Sequence, residues 1–117
     1  MRKRNKGRKF GRKKDQRKAL LKSLAHNLFL REKIKTTEAK AKEAKILVEK
    51  LITKAKKGDL SSTRLLAGYL SPVVVKKLIN EIAPKYKERK GGYTRIIRLG
   101  QRQADSAQMV IFELVEQ

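Results

Sequence analysis

Apolar residues first recur at helical spacing in the stretch that follows Asp15. Positions three, four and seven residues apart lie on one side of a helix. They form one apolar stripe, made of Leu20, Leu21, Leu24, Ala25, Leu28 and Phe29. Asp15 is a candidate N-cap, because its carboxylate can accept a hydrogen bond from a free amide of the first turn. The pattern predicts a first amphipathic helix that begins near Asp15.

The same period predicts a second, longer helix between Thr37 and Gly58. Its apolar positions are Ala44, Leu47, Val48, Leu51, Ile52 and Ala55. Thr37 can cap the first turn, and Glu38 in that turn interacts favourably with the helix dipole. Gly58 is a natural C-cap, since glycine readily adopts the left-handed conformation in which many helices end.

Two shorter helices are predicted after the second helix. The stretch DLSSTRLLAGYL predicts a short helix, with Asp59 or Ser61 as its cap. In the next stretch Ser71 is a candidate cap, and Pro72 suits the first helical position. The inward side of this helix is formed by Val75, Leu78, Ile79 and Ile82. We expect Pro84 to end the helix, because proline has no amide donor.

Alternation with a period of two predicts three strands. In the first, Ile34 and Thr36 alternate with Lys33, Lys35 and Thr37. In the second, YTRIIRLG, one face carries Ile97 and Leu99 and the other carries Ile96 and Arg98. The third, MVIFELVE, is apolar on nearly both faces. It is therefore either a central strand or an edge strand that another protein covers.

The order of elements is helix, strand, three helices and two strands. It indicates a two-layer α/β (α+β) domain, with a small, mostly antiparallel sheet of about three strands covered by helices. Residues 1–14 contain too little apolar surface to offset the entropy of ordering. We expect a basic flexible arm at 1–14, ordered only on a partner, and a single two-layer domain at 15–117.

Charge sharpens this picture, because the chain has 32 basic and 11 acidic residues and a formal net charge of +21. Residues 1–18 carry net +10 and residues 85–102 carry net +6, whereas residues 103–117 carry net −3. Such an excess of like charge favours a polyanionic partner. A phosphate backbone is the densest source of negative charge, and an anionic membrane surface is the competing partner.

The candidate RNA contacts fall into three groups. The arm and first helix supply Arg2, Lys3, Arg4, Lys6, Arg8, Lys9, Arg12, Lys13, Lys14, Arg17 and Lys18. The last third supplies Lys90, Arg95, Arg98 and Arg102, and the middle supplies Lys33, Lys35 and Lys42. Arg95 and Arg98 lie on opposite strand faces, so one of them should point away from the helices. The other lysines of the second helix are either contacts or a solvated face, and Phe10 either stacks on a base or fills a pocket.

Catalytic chemistry has little support in the sequence. There is no cysteine, and His26 is the only histidine, so we expect no metal site and no other cofactor. No carboxylate pair stands out for acid–base work, and Gly91-Gly92 lacks the spacing of a phosphate-binding loop. No apolar run approaches the roughly 20 residues of a membrane span. We predict no enzymatic activity, no membrane partner and no small-molecule substrate.

Several segments resemble the bacterial large-subunit ribosomal protein family numbered seventeen. They are the opening MRKR, RKAL at 17–20, IKTTEAKAKE at 34–43, GGYTRI at 91–96, and A-x-M-x-x-x-E-L-V at 107–115. The resemblance implies a two-layer domain with a basic extension that binds 23S rRNA near the peptide exit tunnel, beside neighbouring large-subunit proteins. It matches the basic opening at Arg2, Arg4, Gly7, Arg8, Arg12 and Arg17. It also adds Tyr93 to the candidate contacts, within the motif Gly91, Gly92, Tyr93, Thr94 and Arg95.

The expected function is that of a structural constituent of the ribosome that supports assembly and rRNA stability. The expected location is the large subunit of the cytoplasmic ribosome, with an organellar ribosome as the alternative. The competing function is that of a free nucleoid-type or regulatory nucleic-acid-binding protein. An RNA-modifying enzyme is disfavoured, because the sequence lacks a catalytic constellation.

Overall fold

A computed structural model of the chain describes residues 14–116. Helices and strands follow one another in the predicted order. They are α1 (Lys14–Arg31), β1 (Lys33–Thr37), α2 (Glu38–Lys57), α3 (Leu60–Ala67), α4 (Pro72–Lys77), a π-helical turn (Leu78–Ile82), α5 (Ala83–Lys85), β2 (Thr94–Gln101) and β3 (Gln108–Leu114). The helices α4 and α5 and the π turn form one continuous helical segment.

The three strands form one antiparallel sheet in the order β1-β3-β2. The prediction of a two-layer α+β domain with a small antiparallel sheet is confirmed. β3 is the central strand, which explains why it is apolar on both faces. Of the two alternatives for this strand, the central position is correct.

The register divides the sheet into a helix-facing side and an open side. Val110, Phe112 and Leu114 of β3 are buried against the helices, and Ile96 of β2 lies opposite Phe112. Ile97 and Leu99 are 42% and 50% exposed on the open side. The predicted separation of Ile96 from Ile97 is therefore confirmed, and a register shift between Arg98 and Gly100 interrupts the strand beyond that point.

Helix α2 lies at the centre of the core. Thr37 caps it by accepting a hydrogen bond from the Lys40 amide, and Gly58 ends it in the left-handed conformation with φ of 67°. Its buried side is formed by Ala41, Ala44, Val48, Leu51, Ile52 and Ala55. These side chains contact the sheet on one side and helices α1, α3 and α5 and the π turn on the other, so α2 joins the two layers.

Three predicted helix boundaries need correction or refinement. Asp15 already lies inside the first described turn of α1 and is not its N-cap. Asp59, not Ser61, caps α3, because its carboxylate accepts from the Ser62 amide at 2.7 Å. Ser71 occupies the cap position of α4 without a capping bond. Its hydroxyl instead lies 3.1 Å from Nε2 of His26, which ties α1 to α4.

The prediction that Pro84 ends the fourth helix is wrong. In the π turn the Ala83 amide donates to the Leu78 carbonyl, five residues back. This shift starts a new short turn, in which Pro84 occupies an early position. Proline is tolerated there because the amides of a first turn need no intrahelical partner. The helical segment therefore continues to Lys85.

Candidate nucleic-acid interface

Glu49 of α2 holds the start of β2 in place. Its carboxylate accepts hydrogen bonds from the Tyr93 amide at 3.2 Å, the Thr94 amide at 3.0 Å and the Thr94 hydroxyl at 2.8 Å. Tyr93 and Thr94 are both buried, so these donors would otherwise lack partners. The basic loop between α5 and β2, residues 86–93, is thus fixed at its end to the central helix by one side chain.

Tyr93 itself belongs to the core. Only 1% of its surface is exposed, and its ring packs against Tyr86 with centroids 5.2 Å apart. Its hydroxyl accepts from Lys56 at 2.9 Å and donates to the Arg89 carbonyl at 3.2 Å. We therefore correct its assignment as an RNA contact: the side chain orders the basic loop from inside. Burial leads the causes that raise the pKa of the neighbouring Tyr86 hydroxyl.

Lys56 completes this anchor. Its ammonium group donates to the Arg89 carbonyl as well as to the Tyr93 hydroxyl, and it lies 4.9 Å from the centroid of the Tyr93 ring. Lys56 therefore serves the fold, whereas the neighbouring Lys57 is exposed. Sequence reasoning missed Glu49 and Lys56 as a pair. The only indication of this pair in the sequence is that both residues lie on α2, seven positions and therefore about two helical turns apart.

Four of the predicted contact residues pair with carboxylates of the domain. Arg95 lies 2.7 Å from Glu113, Arg98 lies 2.8 Å from Glu38, and Arg102 lies 2.7 Å from Asp105. Lys42 lies 3.8 Å from Glu38. The side chains of Arg95 and Arg98 are still 56% and 74% exposed, so their unused donors face solvent. Arg95 is the one that points away from the helices, since it lies in register with Glu113 on the open side.

The pair of Arg102 and Asp105 closes the turn between β2 and β3. The hydrogen bond from Arg102, reinforced by one from the Ala107 amide, lowers the pKa of Asp105 to about 2. The same pairing raises the pKa of Arg102.

A further ion cluster joins Glu32, at the end of α1, to Lys77 and Lys85 of the helical segment formed by α4, the π turn and α5. Burial would raise the pKa of Glu32, but hydrogen bonds from Lys85 and Lys77 outweigh it and lower that pKa.

Other predicted contacts form no ion pair among the described residues, and all of them except Arg17 are exposed. Lys33 and Lys35 lie on the open side of β1, and Lys90 lies in the loop before β2. On α1, Lys14 and Lys18 are exposed and Arg17 is half-buried. The structure therefore brings Lys33, Lys35 and Arg95 together across one sheet face, while the α1 residues lie on a separate element.

The remaining predicted contacts lie outside residues 14–116. They are Arg2, Lys3, Arg4, Lys6, Arg8, Lys9, Arg12 and Lys13. Within the described range, no group of three or more metal-ligating side chains occurs. No helix of that range has the length and apolar character needed to cross a bilayer.

Comparison with known proteins identifies relatives along nearly the whole chain. A family model described as ribosomal protein L17 matches residues 20–115. The large ribosomal subunit protein bL17 of Pelobacter propionicus is 53% identical over 112 residues, which cover 95% of this chain and 88% of the relative. The protein of the same name from Natranaerobius thermophilus is 56% identical over 109 residues, covering 92% and 96%. That of Thermoanaerobacter sp. strain X514 is 53% identical over 109 residues, covering 92% and 97%.

Proposed function

Because this chain belongs to the ribosomal protein L17 family, we propose that it binds 23S rRNA through its exposed cations, near the peptide exit tunnel. The family membership confirms the resemblance found in the sequence. It makes the chain a structural, non-enzymatic constituent of the large ribosomal subunit. It also decides against the free nucleoid-type or regulatory protein. The exit-tunnel position is supported by the family resemblance alone.

The proposal rests on the observation that acidic side chains are paired within the fold. Residues 14–116 contain 24 basic residues and all 11 acidic ones. Glu32, Glu38, Asp105 and Glu113 form ion pairs inside the domain. Glu49 is turned to backbone amides. Together with Asp59, which caps α3, six of the 11 acidic side chains are thus engaged within the fold, and the surplus positive charge is left on the surface for phosphates.

The proposed contact surface combines the arm with cations of the domain. Its described members are Lys14, Arg17, Lys18, Lys33, Lys35, Lys42, Lys90, Arg95, Arg98 and Arg102. We keep the division into an arm at 1–14 and one domain at 15–117 as part of the proposal. Glu38 holds Nε of Arg98, and Glu113 holds Nε and Nη2 of Arg95. The outer N–H groups of an arginine can still donate to phosphate in a forked geometry, so these ion pairs orient the two side chains.

The salt dependence of binding to purified 23S rRNA tests the proposal. Each neutralised phosphate contributes a slope of roughly −0.7 to −0.9 to log K against log salt concentration. Lys35→Ala should make the slope shallower by about one such step. Lys76→Ala, on an exposed position of α4 outside the proposed surface, is the matched control. A slope that Lys35→Ala leaves unchanged would count against contact at the open sheet face.

A further inference from the structure

A groove between α2 and α3 lies outside the proposed rRNA surface. It encloses about 430 Å³, and its apolar lining is formed by Leu47, Leu51, Leu65 and Tyr69. Leu51 is buried, while Leu65 on α3 is 43% exposed. The groove is separate from the packed hydrophobic core, because the buried side of α2 already contacts the sheet and the other helices. The groove is therefore a concave apolar surface open to a partner.

The rim of the groove is positively charged. Lys50 and Lys54, one turn apart on α2, line it, and neither forms an ion pair within residues 14–116. The only acidic side chain in the lining is Glu49, whose two carboxylate oxygens bind the Tyr93 and Thr94 amides. The Glu49 carboxylate is thus occupied by backbone amides, and the ammonium groups of Lys50 and Lys54 lie beside the apolar lining of the groove.

We propose that this groove binds a segment of a neighbouring large-subunit protein that places an apolar side chain beside a carboxylate. The apolar side chain would fill the space between Leu47 and Leu65, and the carboxylate would meet Lys50 or Lys54. Burial of the apolar group supplies the driving force, and the charges fix its orientation. The proposal rests on membership of the ribosome and is independent of the rRNA contacts proposed above.

An RNA base fits the groove less well than an apolar side chain. A base carries donors and acceptors on its edge, and burying these without partners is costly. The three leucines of the lining offer none, and the Thr53 hydroxyl in the lining already donates to the Glu49 carbonyl at 3.0 Å. One face of the Tyr69 ring, on which a base could otherwise stack, is occupied by the Lys22 ammonium group, 5.3 Å from the ring centroid. The chemistry of the lining therefore favours a protein partner.

Carbodiimide coupling of intact large subunits tests the proposal on the native protein. The reagent joins an amine to a carboxylate only when the two are in contact, so it reports protein neighbours directly. We expect peptides in which Lys50 or Lys54 is joined to Asp or Glu of another large-subunit protein. Absence of such peptides, or ultraviolet cross-linking of the groove residues to rRNA, would overturn the proposal.

A pair of variants on α3 links the coupling to the groove. Leu65→Glu places a carboxylate in the opening, where it repels the partner's carboxylate and competes for the lysines. It should reduce coupling at Lys50 and Lys54 several-fold in assembled subunits. Leu60→Glu, at a 66% exposed position of the same helix outside the lining, should leave coupling unchanged. Equal coupling in the two variants would contradict the proposed occupant.

Discussion

Replacing Glu49 tests the anchor that holds the basic loop to the core. Its carboxylate accepts three hydrogen bonds, from the Tyr93 amide and from the amide and hydroxyl of Thr94. Glu49→Ala removes all three acceptors at once. The donors lie on residues that are 1% and 4% exposed, so water replaces the lost carboxylate only after local opening.

The size of the effect follows from those donors. A buried donor left without a partner costs about 1–3 kcal/mol, and neighbouring effects are not fully additive. We therefore expect Glu49→Ala to lower the free energy of unfolding by about 2–4 kcal/mol. Glu49→Gln keeps one acceptor oxygen but turns an amide donor toward the other amide, so it should cost about 1–2 kcal/mol.

Urea denaturation followed by circular dichroism measures the stability, and hydrogen exchange reports on the Thr94 amide. Both Glu49 variants should lose exchange protection at Thr94. Glu81→Ala, at an exposed position of the π turn, is the control and should change stability by less than about 0.5 kcal/mol. If Glu49→Ala is as stable as Glu81→Ala and Thr94 stays protected, the anchor is not what holds the loop.

Three further predictions concern the turns and the arm. The carboxyl of Asp105 should titrate near its pKa of about 2 in an NMR pH series, and a midpoint at the ordinary 3.8 would contradict its pairing with Arg102. Because folding lowers this pKa, the pair of Arg102 and Asp105 stabilises the fold fully at a pH above the pKa of Asp105 in the unfolded chain. This stabilisation is lost as the pH falls from about 4 toward 2. Gly92→Ala forces a side chain into φ of 65° with open space around it, so thermal melts should show a loss of about 1 kcal/mol. Gly91→Ala, at ordinary φ and equally open, should cost less, and equal losses would refute the strain argument. Deleting residues 1–14 should leave the circular dichroism spectrum of the domain intact but slow its incorporation into large subunits, and an unchanged incorporation rate would exclude a role for the arm.

The features of the fold that could be predicted are those that depend on local periodicity. The helical spacing along α2 gives its buried side, and its two caps at Thr37 and Gly58 follow from residue type. Alternation in β3 indicates a strand covered on both faces, and the sheet order explains it. Pro84 was mispredicted because residue type alone does not reveal the preceding π turn, which moves this proline into the start of a new turn.

The features of the candidate site that could not be predicted depend on contacts between distant residues. Tyr93 follows two glycines beside a basic loop, which suggests an exposed residue, yet packing against Tyr86 and Lys56 buries it. Glu49 is one acid among many lysines, and only the fold brings it to amides 44 and 45 residues away. Positive charge itself was predictable, whereas its partial neutralisation at Arg95 and Arg98 required the register of the sheet.

The most direct test of the rRNA-binding claim is a density map of a large subunit that contains this chain. The proposed function predicts that Lys33, Lys35 and Lys90 lie within hydrogen-bonding distance of 23S rRNA phosphates, with the exit tunnel nearby. A map in which the open sheet face and the loop before β2 are turned to solvent, away from rRNA, would contradict it.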